Sequence, residues 1–133
     1  PHLGEFSRLT KKSISEIQKQ MIKSAVDFSK AYGVICVLKD FRTVIAGANP
    51  LHFLNLSGNN GMATGGSGDV LAGVIGALLA QGLTDMEATT YGIFIHGLAG
   101  DRAKEKMGTH AIMASDLIES LKEVWKGIED AQY

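Results

Sequence analysis

With 133 residues, 45% of them hydrophobic, and a mean hydropathy of +0.08, the chain suits one folded domain and excludes a disordered tail. Its 13 basic and 14 acidic residues leave a net charge of −1, so the basic excess that marks nucleic-acid or anionic-membrane binding is missing. A lone cysteine, Cys36, excludes an intrachain disulfide. No apolar run is long enough to span a bilayer and no signal-peptide pattern is visible, which makes the cytoplasm the expected location.

Residues 1–12 read as a loop. Ser13 with Glu16 has the pattern of a capping box, and Ile14, Ile17, Met21, Ala25 and Phe28 follow at helical spacing. They predict a first helix over about 14–31, stopped by Gly33. Val34 to Leu38 is a continuous, largely β-branched run, expected of a strand buried on both faces, with Cys36 as a buried structural thiol. Lys39 to Arg42 turns the chain, and Thr43 to Ala46 returns as a second strand antiparallel to the first. Gly47-Ala48-Asn49-Pro50 breaks that strand, and Leu51 to Leu56 reads as a short edge strand.

A helix is predicted over about 67–81, ended by Gly82, and Thr84 with Glu87 forms a second capping box. The helix after it, about 85–106, should pack Ala88, Tyr91, Ile95, Leu98, Ala99 and Ala103. Gly92, Gly97 and Gly100 lie inside it. Interior glycines cost about 1 kcal/mol each relative to alanine, so close helix–helix approach is the expected reason for them. Ser115 is the expected cap of a last helix with Leu117, Ile118, Leu121, Val124 and Trp125 inward, and Lys126 to Tyr133 should fray. Two or three strands are too few for four largely apolar helices, and the chain opens on Pro1 rather than methionine. The expectation is a C-terminal portion of a larger α/β layer structure, with no boundary inside residues 1–133.

The chemistry lies in Asn59 to Gly73. Four of the six residues from Thr64 to Asp69 are Gly or Ser, and the apolar run from Val70 to Ala80 follows directly. A loop of small residues feeding a helix N-terminus leaves N–H groups without partners in a positive potential, which is an anion site, most often for phosphate. Asp69 stands at its mouth, where a carboxylate can cap the helix, hold a cation or take a proton from a hydroxyl. No Lys-Ser/Thr follows the glycines, so this is not a P-loop, and the strand context of a dinucleotide fingerprint is missing. The plain alternative is a flexible loop capped by Asp69. Met62 reads as a hydrophobic plug under the loop and His96 as a packed helix histidine; His52 and His110 have no partners at metal spacing.

The run Asn59-x-Gly-Met-Ala-Thr-Gly-Gly-Ser-Gly-Asp-Val-Leu-Ala-Gly resembles the signature of the ADP/ATP-dependent NAD(P)H-hydrate dehydratases, in the ribokinase-like superfamily. Pro1-His2-Leu3-Gly4-Glu5 is similar to that family's Pro-His-Pro-Gly-Glu loop. Val37-Leu38-Lys39 through Thr43-Val44-Ile45-Ala46 is similar to its nucleotide-binding hairpin, and Ala114-Ser115-Asp116-Leu117-Ile118 to its last helix start. Leu3 departs from the usual Pro, Asn60 stands where Pro is common, and Asp40 and Arg42 stand where glycines are frequent.

The resemblance implies a ribokinase-like layered α/β fold, of which this chain would be about the C-terminal half. It implies a repair reaction: the hydroxyl of hydrated NADH or NADPH is phosphorylated by ADP or ATP with Mg²⁺, and phosphate elimination restores the cofactor. Asp69 would be the base, and the N–H groups of Gly66, Ser67 and Gly68 would hold the phosphoryl group. Lys39, Asp40, Phe41, Arg42 and Thr43 would flank the nucleotide. His2 and Asp69 would touch the hydrated nicotinamide, and Glu5 would either orient water around the metal or cap a turn. No protein ligand set for a metal is expected. A homo-oligomer is expected, because exposed sheet edges seek partners. Two other functions stay open: a small-molecule, vitamin-precursor kinase of the same superfamily, and a nucleotide-binding fragment without turnover.

Overall fold

The structure, a computed structural model, describes residues 1–47 and 50–131. It divides into two compact units, Pro1–Asn55 and Leu56–Tyr133.

The first unit runs α1 (Leu3–Thr10), α2 (Ile14–Lys19), α3 (Met21–Tyr32), β1 (Cys36–Leu38), β2 (Thr43–Ala46) and β3 (His52–Asn55). The strands form an antiparallel sheet in the order β1-β2-β3, with Cys36 opposite Ala46 and Thr43 opposite Asn55. Val44, Ile45 and Ala46 of β2 are all buried, whereas the run expected to be a strand buried on both faces, Val34 to Leu38, is a strand only over Cys36–Leu38, with Val34 44% exposed; β3 is the expected edge strand. The strand break at 47–50 falls partly on residues 48 and 49, outside the described residues. Phe6, Ile17, Ala25, Cys36, Leu38, Val44 and Ala46 make one core. Cys36 is buried, and burial pushes its thiol pKa up from 9.0.

Two local expectations fail here. Residues 3–10 are helical rather than a loop, because His2 acts as an N-cap and Glu5 closes a capping box around it. The helix expected over 14–31 is two helices. Gln20 breaks it with a non-helical backbone (φ −138°, ψ 44°), while the apolar spacing continues across the break. Ile14 is consequently 45% exposed and only Ile17 of α2 is buried.

The second unit holds a 3₁₀ turn (Asn60–Met62), α4 (Ser67–Ala80), α5 (Asp85–Met107) and α6 (Ala114–Asp130). α5 packs against both α4 and α6. Gly92 gives the expected close helix approach: a Cβ there would stand 2.7 Å from Ile75 Cγ1 and 3.4 Å from Ile75 Cα. α6 begins at Ala114 rather than after Ser115. Met113 is its N-cap, with its N–H donating to Asp116 Oδ2 at 2.8 Å. The helix continues to Asp130, so most of the tail expected to fray is helical; residues 132 and 133 lie outside the described ones.

α6 carries two stripes. Leu117, Ser120 and Val124 are buried, and Leu117 and Val124 pack with residues of α5. Ile118, Leu121 and Trp125 line an open groove of about 570 Å³ with Val70, Gly73, Val74, Ala77, Leu78 and Gln81 of and after α4. That groove leaves Ile118 51% exposed, against the inward expectation, and Tyr91 on α5 is also half exposed. Among the described residues, no helix is long and apolar enough to cross a membrane.

Three helix starts share one acid-sensitive device. The carboxyl pKa values of Glu5, Glu16 and Glu87 are all held below the ordinary 4.5. For Glu5 the main cause is the His2 backbone N–H; for Glu16 and Glu87 it is the Ser13 and Thr84 hydroxyls, respectively. A depressed folded pKa stabilises fully above the unfolded value, and the contribution is lost as pH falls through the folded value. Denaturant melts should therefore hold level at neutral pH and weaken below pH 4.5. Glu16→Gln should flatten part of that slope, and an unchanged slope would remove the capping boxes as its cause.

Candidate functional site

The glycine turn of the second unit centres on Gly66. It caps α4 in the left-handed conformation (φ +84°) without any side-chain bond. The N–H groups of Asp69 and Val70 both donate to Gly66 O at 3.0 Å, and Ser67 N–H donates to Thr64 O at 3.3 Å. The N–H groups of Gly66 and Gly68 find no acceptor among the described residues. Gly65 has no positive φ, and a Cβ on it would meet nothing within 4 Å. The fold itself therefore does not require glycine at that position. What its absent side chain leaves open is approach to the backbone from outside the chain.

Asp69 sits in the first turn of α4, with its side chain exposed. Its carboxylate makes no capping bond and no ion pair among the described residues. Asp69 is thus free of a side-chain capping bond in the first turn of α4. It stands at the end of the α4–α6 groove, beside the open donors and in the positive potential of the helix start.

The loop that leads to this turn is pressed onto α5. Met62 packs against Ala103, Ile112 and Leu117, the plug expected of it. A Cβ on Gly100 would stand 2.2 Å from Met62 Sδ, and one on Gly97 would stand 2.1 Å from Ser57 Oγ and 2.8 Å from its backbone carbon. These two interior glycines thus admit a loop rather than a neighbouring helix. Gly61 is as tight, since a Cβ there would lie 2.6 Å from Thr109 O.

The first unit gathers the other candidates. His2 Nδ1 accepts from Gly4 N–H at 3.1 Å and Glu5 N–H at 3.4 Å. Glu5 Oε2 accepts from His2 N–H at 2.8 Å. A Cβ on Gly4 would come within 3.0 Å of the His2 ring, so Gly4 makes room for this cap. Glu5 is the cap partner, one of the two roles left open for it. His2 also pairs in a parallel bridge with Lys39, whose N–H donates to Pro1 O at 2.8 Å. At the hairpin tip Asp40 accepts from Gln18 Nε2 at 3.4 Å, Phe41 is 87% exposed, and the Arg42 guanidinium lies 4.8 Å from the Phe41 ring centre. Thr43 begins β2, half-buried opposite Asn55.

The structure thus joins His2, Glu5 and Lys39 in one unit, and Gly66, Ser67, Gly68 and Asp69 in the other. His96 is buried in α5, as expected of a packed histidine. Among the described residues, no three of His, Cys, Asp and Glu converge as metal ligands.

This arrangement is that of the ribokinase-like fold, in part. A ribokinase-like superfamily protein from Enterococcus faecalis superposes with a TM-score of 0.78 at 32% identity, over 95% of this chain and 43% of that one. The sequence profile described as NAD(P)H-hydrate dehydratase matches residues 1–123, and the chain belongs to that family. A Thermofilum pendens protein named bifunctional NAD(P)H-hydrate repair enzyme Nnr is 42% identical over 130 residues, 98% of this chain and 25% of that protein. The Bacillus subtilis ADP/ATP-dependent NAD(P)H-hydrate dehydratase, co-crystallized with ATP/Mg²⁺, superposes with a TM-score of 0.90 at 32% identity, over 95% of this chain and 46% of that one. The chain therefore spans between a quarter and just under half of these relatives.

Proposed function

We propose that this chain is the C-terminal part of one ribokinase-like domain that repairs hydrated NAD(P)H in a nucleotide-dependent dehydration, a carbon–oxygen lyase of the cytoplasm that works as a homo-oligomer. The observation that carries this reading is one turn in which unused backbone donors at Gly66 and Gly68 stand beside the unengaged carboxylate of Asp69. A phosphoryl group needs such donors as its charge develops, and a hydroxyl that attacks it needs a base beside them.

In this reaction Asp69 takes the proton of the hydroxyl on the hydrated nicotinamide as its oxygen bonds to the terminal phosphorus of ADP or ATP. The bond from that phosphorus to the nucleotide breaks. The new phosphate then leaves with the carbon–oxygen bond electrons, and loss of a ring proton restores the double bond. Gly66, Ser67 and Gly68 hold the transferred oxygens. Lys39 to Thr43 flank the nucleotide, Phe41 offering an exposed ring face to its base. His2 contacts the nicotinamide. The chain offers no metal cage among its described residues, so Mg²⁺ would be held mainly by the phosphates and water, where it neutralises their charge.

Incubation with hydrated NADH and ADP should restore the absorbance of NADH; no recovery would sink this reading. Gly65→Val gives a sharper check. Gly65 is exposed and a Cβ on it meets nothing within 4 Å, so melting should change little, but ADP affinity should fall about tenfold as the backbone is covered. Equal ADP affinity would remove this loop from the nucleotide site.

A further inference from the structure

The glycine turn has a second anchor that no motif marked. Asp101, on α5, directs both carboxylate oxygens at the start of the loop. Its Oδ2 accepts from Gly58 N–H at 2.9 Å and its Oδ1 from Asn59 Nδ2 at 3.1 Å. Asn59 Nδ2 also donates to Gly100 O at 2.8 Å, while Asn59 Oδ1 accepts from Gly61 N–H at 3.0 Å. Asp101 makes no ion pair among the described residues, although Lys104 lies one turn on; its neighbour Arg102 pairs with Glu105 instead. Only an acceptor-only carboxylate can serve two donors at once from this position.

The other end of the turn is also held. Met62 and Val70 pack against Ala103, Ile112 and Leu117, and Gly66 lies so close to α6 that a Cβ on it would stand 3.1 Å from Ala114 Cβ. Residues 63–65 bridge the two anchors. A loop fixed at both ends loses little freedom when it binds, and its donors need no rearrangement.

Resting on the functional reading above, we propose that Asp101 and Asn59 are positioning residues of the nucleotide turn, holding its first residues so that the donors of Gly66 and Gly68 are preformed for a phosphate. Losing them should weaken ADP binding and slow transfer together, because the same donors meet the phosphate of the bound nucleotide and the charge that develops on the transferred group.

The experiment compares the unsubstituted chain with Asp101→Asn, Asn59→Asp and the exchanged pair carrying both changes. Readouts are amide hydrogen exchange at Gly58 and Gly61, the Kd for ADP, and kcat at saturating ADP. Asp101→Asn should speed exchange at both amides and raise the ADP Kd, each about tenfold, and lower kcat, with helical circular dichroism close to unchanged. The exchanged pair restores an amide–carboxylate bond with its polarity reversed but sets a carboxylate oxygen against Gly100 O, so it should recover only part of the affinity. Unchanged exchange at Gly58 and Gly61 with ADP binding intact would overturn the proposal alone. Faster exchange with an unchanged ADP Kd would also overturn it, leaving the tie purely structural. No ADP binding by the unsubstituted chain would overturn the functional reading itself, and the nucleotide role of the pair with it.

Discussion

Asp69→Asn should lower kcat by about 10²–10⁴-fold while the ADP Kd stays within about threefold. The amide is nearly the same size, so the exposed first turn of α4 has no packing to lose. It removes one negative charge near phosphate, which favours binding if anything, and it removes the only function a carboxylate has as a proton acceptor. The structure strengthens this prediction because Asp69 makes no bond whose loss would confuse the result. Steady-state kinetics and calorimetric ADP binding check it. A parallel loss of binding and turnover would instead mark Asp69 as a group that orients the phosphates through a cation.

Gly97→Ala should destabilise the chain by about 1–2 kcal/mol net, and Gly97→Val by more. Alanine in a helix interior gains up to about 1 kcal/mol over glycine, but the new Cβ collides with Ser57 Oγ at 2.1 Å and with its backbone carbon at 2.8 Å. A hydroxyl can rotate away, whereas backbone must shift with the whole loop. Gly76→Ala supplies the control. It is the same change in a helix interior where a Cβ meets nothing within 4 Å, so it should stabilise by up to about 1 kcal/mol. Denaturant melts of the two variants should move in opposite directions. A stabilising shift at both positions would mean that helix propensity, not the loop contact, governs position 97.

Several elements were legible because one local signal decided each. The β-branched run before Lys39 and the return from Thr43 mark an antiparallel hairpin, and Thr84 with Glu87 marks the start of α5 to the residue. α1 was hidden because histidine is not among the usual capping residues; the readable signal is His2 with Gly4 and Glu5, a ring, the space for it, and the carboxylate that closes the box. The break at Gln20 carries no Gly or Pro, and apolar spacing cannot show a backbone that leaves the helix for one residue. In the candidate site, the glycine turn stands out by composition alone. Asp101 does not, because its partners, the Gly58 N–H and the Asn59 side-chain amide, lie about 40 positions earlier. The glycines of α5 were visible as anomalies, but only the structure separates Gly92, which meets a helix, from Gly97 and Gly100, which meet the loop.

The capping bonds of His2 also fix its tautomer. Two amide N–H groups donate to Nδ1, so that nitrogen must present its lone pair and the ring proton resides on Nε2. Nε2 is therefore a hydrogen-bond donor while α1 keeps its cap, and it lies 3.5 Å from Glu5 Oε1. A ligand oxygen that reaches His2 would share that donor with the Glu5 carboxylate, and a ligand presenting an N–H there would have to unwind the helix start to be accepted.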